Sequence, residues 1–504
     1  MTIVGLVVIC VCGSVSAAET RDAWVEVRST HFVVVSNEDT ERARAVAEDF
    51  ETVRAVARQA MPRMRLDPRQ PIVILAVRNE QSLRELLPQF WERRGLRPAG
   101  VFQRGPHTHQ IALRVDTSRH ERYQRVFHEY FHLLTRLNLP WAPAWFNEGL
   151  SEFWGQTLVR GRAVETGRPA RHHLQFLTAA APLPLEELLA MDRHPHETDP
   201  DKTSIFYAQS WALTHYLMVG MVGESSGNTG RALAVYLDRL ERGLEPLEAA
   251  EQAFGDLEQL EAELRDYVRS KRWRSLKVSV PKTAPANADS NAAAFEVRTL
   301  SDADALAVRG TFLVNGQRPR AAHPLLAEAL ELDPDQALAH ESLGYLHFRL
   351  NEHDTVAIWF RRAIALDPGS HLSHYYSAIL TRATGNADAS AQAERHLRRT
   401  LELNPTFAPA YARLSALCAR DETRTRMDEA VALASQAVTL EPDNVGYWVD
   451  LGQLQLSLDR PDDARDAAER GLAVARGANT KELAASFMRR VEQQARLTET
   501  RESL

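Results

Sequence analysis

The sequence predicts an α+β domain followed by an all-α solenoid of helical repeats, and three observations carry that reading. Ahead of residue 280, β-branched runs alternate with stretches of helical apolar spacing. The run Pro281 to Ala294 then interrupts the chain with no apolar residue larger than Ala. Beyond it, helix-terminating dipeptides return at nearly constant spacing. At 504 residues the chain has room for about three ordinary domains. Its 44% apolar and 25% charged residues exclude wholesale disorder, a collagen and a polytopic membrane protein. A net charge of −7 argues against a chain organised around nucleic-acid phosphates, so no nucleic-acid partner is expected.

Taken in order, the first element is a leader. Ile3 to Val11 is uncharged and apolar, small residues follow through Ser16, Ala17 and Ala18, and the first charge is Glu19. This is the layout of a secretory signal peptide over residues 1–18, and it predicts export to a periplasm or the outside. The run is shorter than the roughly 20 residues that span a bilayer, so stable membrane insertion is not expected. Cleavage near Ala18 removes Cys10 and Cys12 and leaves Cys418 without an intramolecular disulfide partner. Trp24 to Ser36 and Pro71 to Val77 are β-branched runs, His109 to Val115 partly alternates, and Asp39 to Met61 and Gln81 to Arg94 carry helical spacing. From Ser118, the positions Tyr123, Val126, Phe127, Tyr130, Phe131 and Leu134 define a helix to about Leu137, capped by Thr117 or Ser118 and ended by Pro140. The expected boundaries are an α+β domain over 19–277, a linker over 278–302, repeats over 303–478 and a helical tail over 479–504.

In the second half, Asp333-Pro334, Asp367-Pro368, Asn404-Pro405 and Glu441-Pro442 place prolines 34, 37 and 37 residues apart. Aligned on them, Leu343, Gly344, Val356, Phe360 and Ala363 fall where two packed helices approach, as do Trp448, Leu451, Gly452 and Ala464. The pattern resembles tetratricopeptide (TPR) repeats, with about five units. That resemblance implies a concave groove for a peptide or a protein partner. The linker, with little to dock the halves, predicts an array that folds by itself.

On the helix after Ser118 lies His128-Glu129-Tyr130-Phe131-His132. Four residues is little more than a helical turn, so both imidazoles project from one face and can share one zinc ion, with Glu129 beside it as proton acceptor. A second helix then begins around Asn147-Glu148-Gly149-Leu150-Ser151-Glu152, after Pro140-Trp141. Together these segments resemble the gluzincin zinc peptidases, and with 15 residues between His132 and Glu148 they fit the peptidase-MA-like branch that often carries TPR repeats. The resemblance implies a zincin-like metallopeptidase fold for the first domain, Zn2+ held by His128, His132 and Glu148, and Glu129 as catalytic base. It places Glu152 where an acidic group orients a ligand histidine, an ordinary helix carboxylate being the plain alternative. Phe206-Tyr207 resembles the segment that supplies an oxyanion-binding tyrosine in aminopeptidase-like members, so Tyr207 is the second catalytic candidate, against a core tyrosine. His172, His173, His194, His196 and His215 are rivals for that role. The resemblance further implies that His109 to Val115 is an edge strand that pairs with an extended or unfolded substrate. Two functions follow: a zinc-dependent metallopeptidase whose array recruits substrate or partner, or a non-catalytic TPR scaffold with a degenerate peptidase-like domain. Zinc hydrolysis of a non-peptide substrate is a third possibility.

Overall fold

The computed structural model describes residues 23–502 apart from 69, 93–96, 106, 140, 180, 192–199, 221–228, 271–272, 281–294, 383–386, 422–424 and 476–477. The expected signal peptide and the run Pro281 to Ala294 lie outside the described residues. The described strands are β1 (Trp24–Arg28), β2 (Phe32–Ser36), β3 (Ile72–Val77), β4 (Gly100–Gln103), β5 (His109–Arg114), β6 (Leu158–Arg160), β7 (Ala163–Thr166), β8 (Leu276–Ser279) and β9 (Glu296–Leu300). The main sheet runs β4-β5-β3-β2-β1-β9, and β6-β7-β8 forms a small antiparallel sheet. In the main sheet β2-β3 and β3-β5 are parallel pairs, and the others are antiparallel.

The central strands are apolar at nearly every position because both faces are covered. Side chains alternate between faces. Val34, Ile74, Ile111 and Leu113 meet α1 (Thr40–Ala60) and the motif-bearing helix on one side. Val35, Leu75, Val77 and Ala112 meet α2 (Glu80–Leu86) and the start of the repeat array on the other. After the short α3 (Gln89–Glu92), α4 (Arg119–Asn138) carries the motif and α5 (Ala144–Gly155) follows it. Ser118 and Glu121 close a capping box on α4, so the sequence-level cap is the one used. The domain continues through α6 (Arg171–Ala179), α7 (Leu185–Ala190), α8 (Pro200–His215) with a terminal π-helical turn, α9 (Thr229–Glu241), α10 (Pro246–Phe254) and α11 (Leu257–Ser270).

Five antiparallel helix pairs make the array: α12 (Asp302–Asn315) with α13 (Pro319–Leu332), α14 (Ala337–Arg349) with α15 (His353–Leu366), α16 (His371–Arg382) with α17 (Ala387–Leu403), α18 (Ala408–Cys418) with α19 (Met427–Leu440), and α20 (Val445–Ser457) with α21 (Pro461–Val474). A last helix, α22 (Ala478–Glu502), packs Phe487 over Gly452. Gly344 works the same way, since a Cβ there would stand 2.9 Å from the Phe360 ring. Cys418 is buried in this array. None of the described helices is long and apolar enough to cross a membrane.

Two expectations need correction. The linker of 278–302 begins and ends in paired strands: β8 adds to β7, and β9 runs the length of β1. Its exposed residues Glu296 to Thr299 hide this role, because an edge strand needs few buried side chains. The array is also docked rather than loosely tethered. Phe312, Leu306 and Leu326 share one core with the sheet. Arg309 pairs with Glu85 at 2.8 Å, and Gln103 donates to the Phe312 carbonyl at 2.9 Å. Farther along, His107 of the β4–β5 loop enters the array, with Nε2 2.5 Å from the Tyr376 hydroxyl and its ring beside Tyr345 and Phe407.

Candidate metal centre

The centre is assembled where α4 crosses α5. Phe131 of α4 stacks on Trp154 of α5, with ring centroids 4.3 Å apart and planes 7° from parallel, which fixes how the two helices meet. On the far side of α5, Gly149 touches α8 so closely that a Cβ would lie 2.1 Å from the Thr214 hydroxyl and 2.4 Å from the Ser210 carbonyl oxygen. The absence of a side chain at Gly149 therefore seats Glu148 opposite the histidines, and α8, buried on nearly all sides, backs the site.

His128, Glu129, His132, Glu148, Glu152 and Tyr207 all line one cleft of about 670 Å³. The two imidazole Nε2 atoms stand 2.9 Å apart, and Glu148 Oε2 lies 3.3 Å from His132 and 3.7 Å from His128. The opposite ring nitrogens face oxygen: His132 Nδ1 is 3.1 Å from Asn147 Oδ1, and His128 Nδ1 is 3.4 Å from Glu152 Oε1. With each Nδ1–H donated outward, both Nε2 lone pairs and a carboxylate oxygen converge on one point with no donor between them. Two nitrogens and one oxygen with ligand atoms all within 4.8 Å of one another suit zinc in donor type and number, leaving a fourth position for water or substrate. Without a cation, a proton relieves the same convergence. Burial opposes charging His132, but Glu148 and Asn147 outweigh it and raise its pKa, whereas burial keeps that of His128 low.

Glu152 is tied into the site from two sides. Besides His128 it meets His173, whose Nε2 is 2.9 Å from Oε2. Burial alone would raise this carboxyl, but His173, His128 and His172 bring it down to about 2. The carboxylate thus sits between His128 and a second histidine, His173, that the sequence marks only as a rival for oxyanion binding. Nothing in the sequence spacing linked His173, at the start of α6, to Glu152. Tyr207 is half-buried in the cleft wall; burial, then Glu148, Glu152 and Glu129, push its pKa far up and keep the phenol protonated. His215 lies elsewhere, fully buried, with Nε2 2.8 Å from the Gly167 carbonyl oxygen and Nδ1 2.8 Å from the Tyr267 hydroxyl. It is a satisfied core histidine. His172 lines the cleft, and His194 and His196 lie outside the described residues.

The strand expected to border the cleft is misplaced by one. β5 is interior, paired with β3 on one side and β4 on the other. The edge is β4, whose short Gly-Val-Phe-Gln segment carries too little pattern to be recognised alone.

The tetratricopeptide repeat family matches residues 308–371 and 423–480, so the chain carries TPR repeats. Human protein O-mannosyl-transferase TMTC3 is 28% identical over 136 residues, which is 27% of this chain and 14% of that protein. The human mitochondrial import receptor subunit TOM70 is 27% identical over 158 residues, 31% of this chain and 26% of the receptor subunit. The chain therefore spans only a small part of the length of either relative. Among solved structures it is similar to Pseudomonas aeruginosa pilF, at 16% identity and a TM-score of 0.32 over 40% of this chain and 91% of that one. It is also similar to YrrB, described as a TPR protein with an unusual peptide-binding site, at 16% identity and a TM-score of 0.30 over 36% and 92%.

Proposed function

We propose that the chain is an exported zinc-dependent metallopeptidase with a TPR array fixed to its catalytic domain. The observation that carries this reading is the convergence of His128 Nε2, His132 Nε2 and Glu148 Oε2 in an open cleft that also holds Glu129. Zinc bound there supplies Lewis acidity toward a peptide carbonyl and lowers the pKa of a water molecule. Glu129 takes the proton of the attacking water and returns it to the leaving nitrogen. Tyr207, held protonated, donates its O–H to the carbonyl oxygen as negative charge builds. Asn147 and Glu152 hold the imidazoles in the tautomer that presents Nε2, and His173 braces Glu152.

A second reading keeps the metal centre without turnover and makes the chain a TPR scaffold for a protein partner. The family match favours it, because TPR units bind partners and perform no chemistry. The two readings separate on one comparison. Zinc-reconstituted protein is assayed on an unstructured protein substrate beside Glu129→Gln, which keeps shape but cannot accept the proton. The peptidase reading expects stoichiometric zinc in both and a loss of at least about a hundredfold in hydrolysis in the variant. Zinc without hydrolysis in the wild-type protein leaves the scaffold.

A further inference from the structure

The metal-binding face of α4 is bracketed by arginines. Arg125 lies one turn before Glu129 and Arg136 one turn after His132, and both line the cleft. Arg104, immediately after the edge strand β4, lines it too. All three are exposed, and none has a carboxylate within ion-pair distance among the described residues. Elsewhere the chain pairs such groups closely: Arg114 holds Asp116 at 2.9 Å, and Arg426 holds Glu394 at 2.8 Å. The Arg104–Arg136 pair is the more telling because the two like charges sit near enough to repel. Partial desolvation in the cleft and then Arg104 lower the pKa of Arg136, and among the described residues Asp443 of the α19–α20 turn opposes them. At the opposite, N-terminal end of α4, Glu121 lies one turn before Arg125 but is spent on the capping box with Ser118.

Two guanidinium groups that line one cleft and feel each other's charge gain from a carboxylate placed between them. Arg104 also follows the last residue of β4, the edge strand of the main sheet, so an extended chain added to that edge would run on toward the arginines. We infer that the cleft selects polypeptide segments bearing a carboxylate, with Arg104 and Arg136 binding that group at one end of the cleft and Arg125 extending the positive field at the other. The inference rests on the peptidase reading for the placement of the carboxylate beside a scissile bond, and names the substrate class of that site. The carboxylate is that of an Asp or Glu side chain or of a chain terminus.

The test uses the full chain carrying Glu129→Gln, loaded with zinc, so that peptides bind without turnover. Three short unstructured peptides of one sequence are titrated by calorimetry: one with Glu side chains and an amidated end, its Gln twin, and the Gln twin with a free C-terminal carboxylate. The Glu peptide, the free-terminus peptide or both should bind about tenfold more tightly than the amidated Gln twin, and the advantage should shrink with salt. Whichever peptide gains identifies the source of the carboxylate. Arg104→Gln combined with Arg136→Gln, both at exposed positions, should cut the advantage below about twofold while zinc content stays the same. Equal binding of all three peptides, no binding of any, or an advantage that survives the double substitution would overturn the inference. Cleavage of the same peptides by wild-type protein then separates the two claims. An arginine-dependent preference without cleavage leaves the carboxylate site standing and removes the peptidase reading. Cleavage indifferent to charge does the reverse.

Discussion

His128 and His132 are positioned less by their own helix than by the oxygens behind them. Asn147 faces one ring, and Glu152 faces the other while leaning on His173. Since an outer carboxylate both orients the imidazole and strengthens it as a ligand, Glu152→Gln should lower zinc affinity by about 10- to 100-fold with the helical content unchanged. Competition against a chelator of known affinity measures this directly, and an unaltered zinc constant would return Glu152 to the status of an ordinary helix carboxylate. The candidate ligand set is readable from sequence because its members lie a helical turn apart or in a short motif on the next helix. His173 is not, because it comes from a third helix and the only thing joining it to Glu152 is tertiary packing. Arg104 and Arg136 were equally hidden: a loop and a helix C-terminus bring them to one cleft wall, and no spacing along the chain records that.

At the level of elements, the continuous apolar strands Phe32–Ser36 and Ile72–Val77 already implied a sheet covered on both faces. What the pattern did not say is that part of the second cover comes from beyond residue 300. The edge strands β4 and β9 are not legible for other reasons: β4 is only four residues long, and β9 is exposed at every position before Leu300. Helix packing is easier to read once a close contact is known. Gly149 lets α5 approach α8 to within a distance that excludes any Cβ, so Gly149→Ala must push the two helices apart. Overpacking of this kind costs about 1–3 kcal/mol, and here it should also withdraw Glu148 from the histidines. A lower thermal midpoint together with weaker zinc binding is expected. Loss of stability with zinc affinity intact would mean that Glu148 does not depend on this contact.

Across the whole molecule, the repeat array is part of the N-terminal α+β domain's architecture, since α12 and α13 cover the sheet face that carries Val35, Leu75 and Val77. A chain ending at Lys277 should therefore expose that face and bind an apolar dye or aggregate, whereas one ending near Asp333 keeps the cover; equal solubility of the two would argue against a shared core. The second anchor is His107. Burial holds its pKa down to about 4 against 6.5 for a free imidazole, with His371 adding to the shift, so the docked ring is neutral. A lowered folded-state pKa means that the stabilisation is complete above pH 6.5 and fades as the pH falls toward 4, because the undocked imidazole takes up the proton first. Between pH 7.5 and 5 the wild-type protein should lose on the order of 2 kcal/mol at this residue that His107→Gln does not lose. Denaturant unfolding of both proteins at the two pH values isolates the difference, because His109 and His215, also buried with depressed pKa values, are common to both. Parallel pH dependence in the two proteins would show that His107 does not anchor the array as a neutral ring.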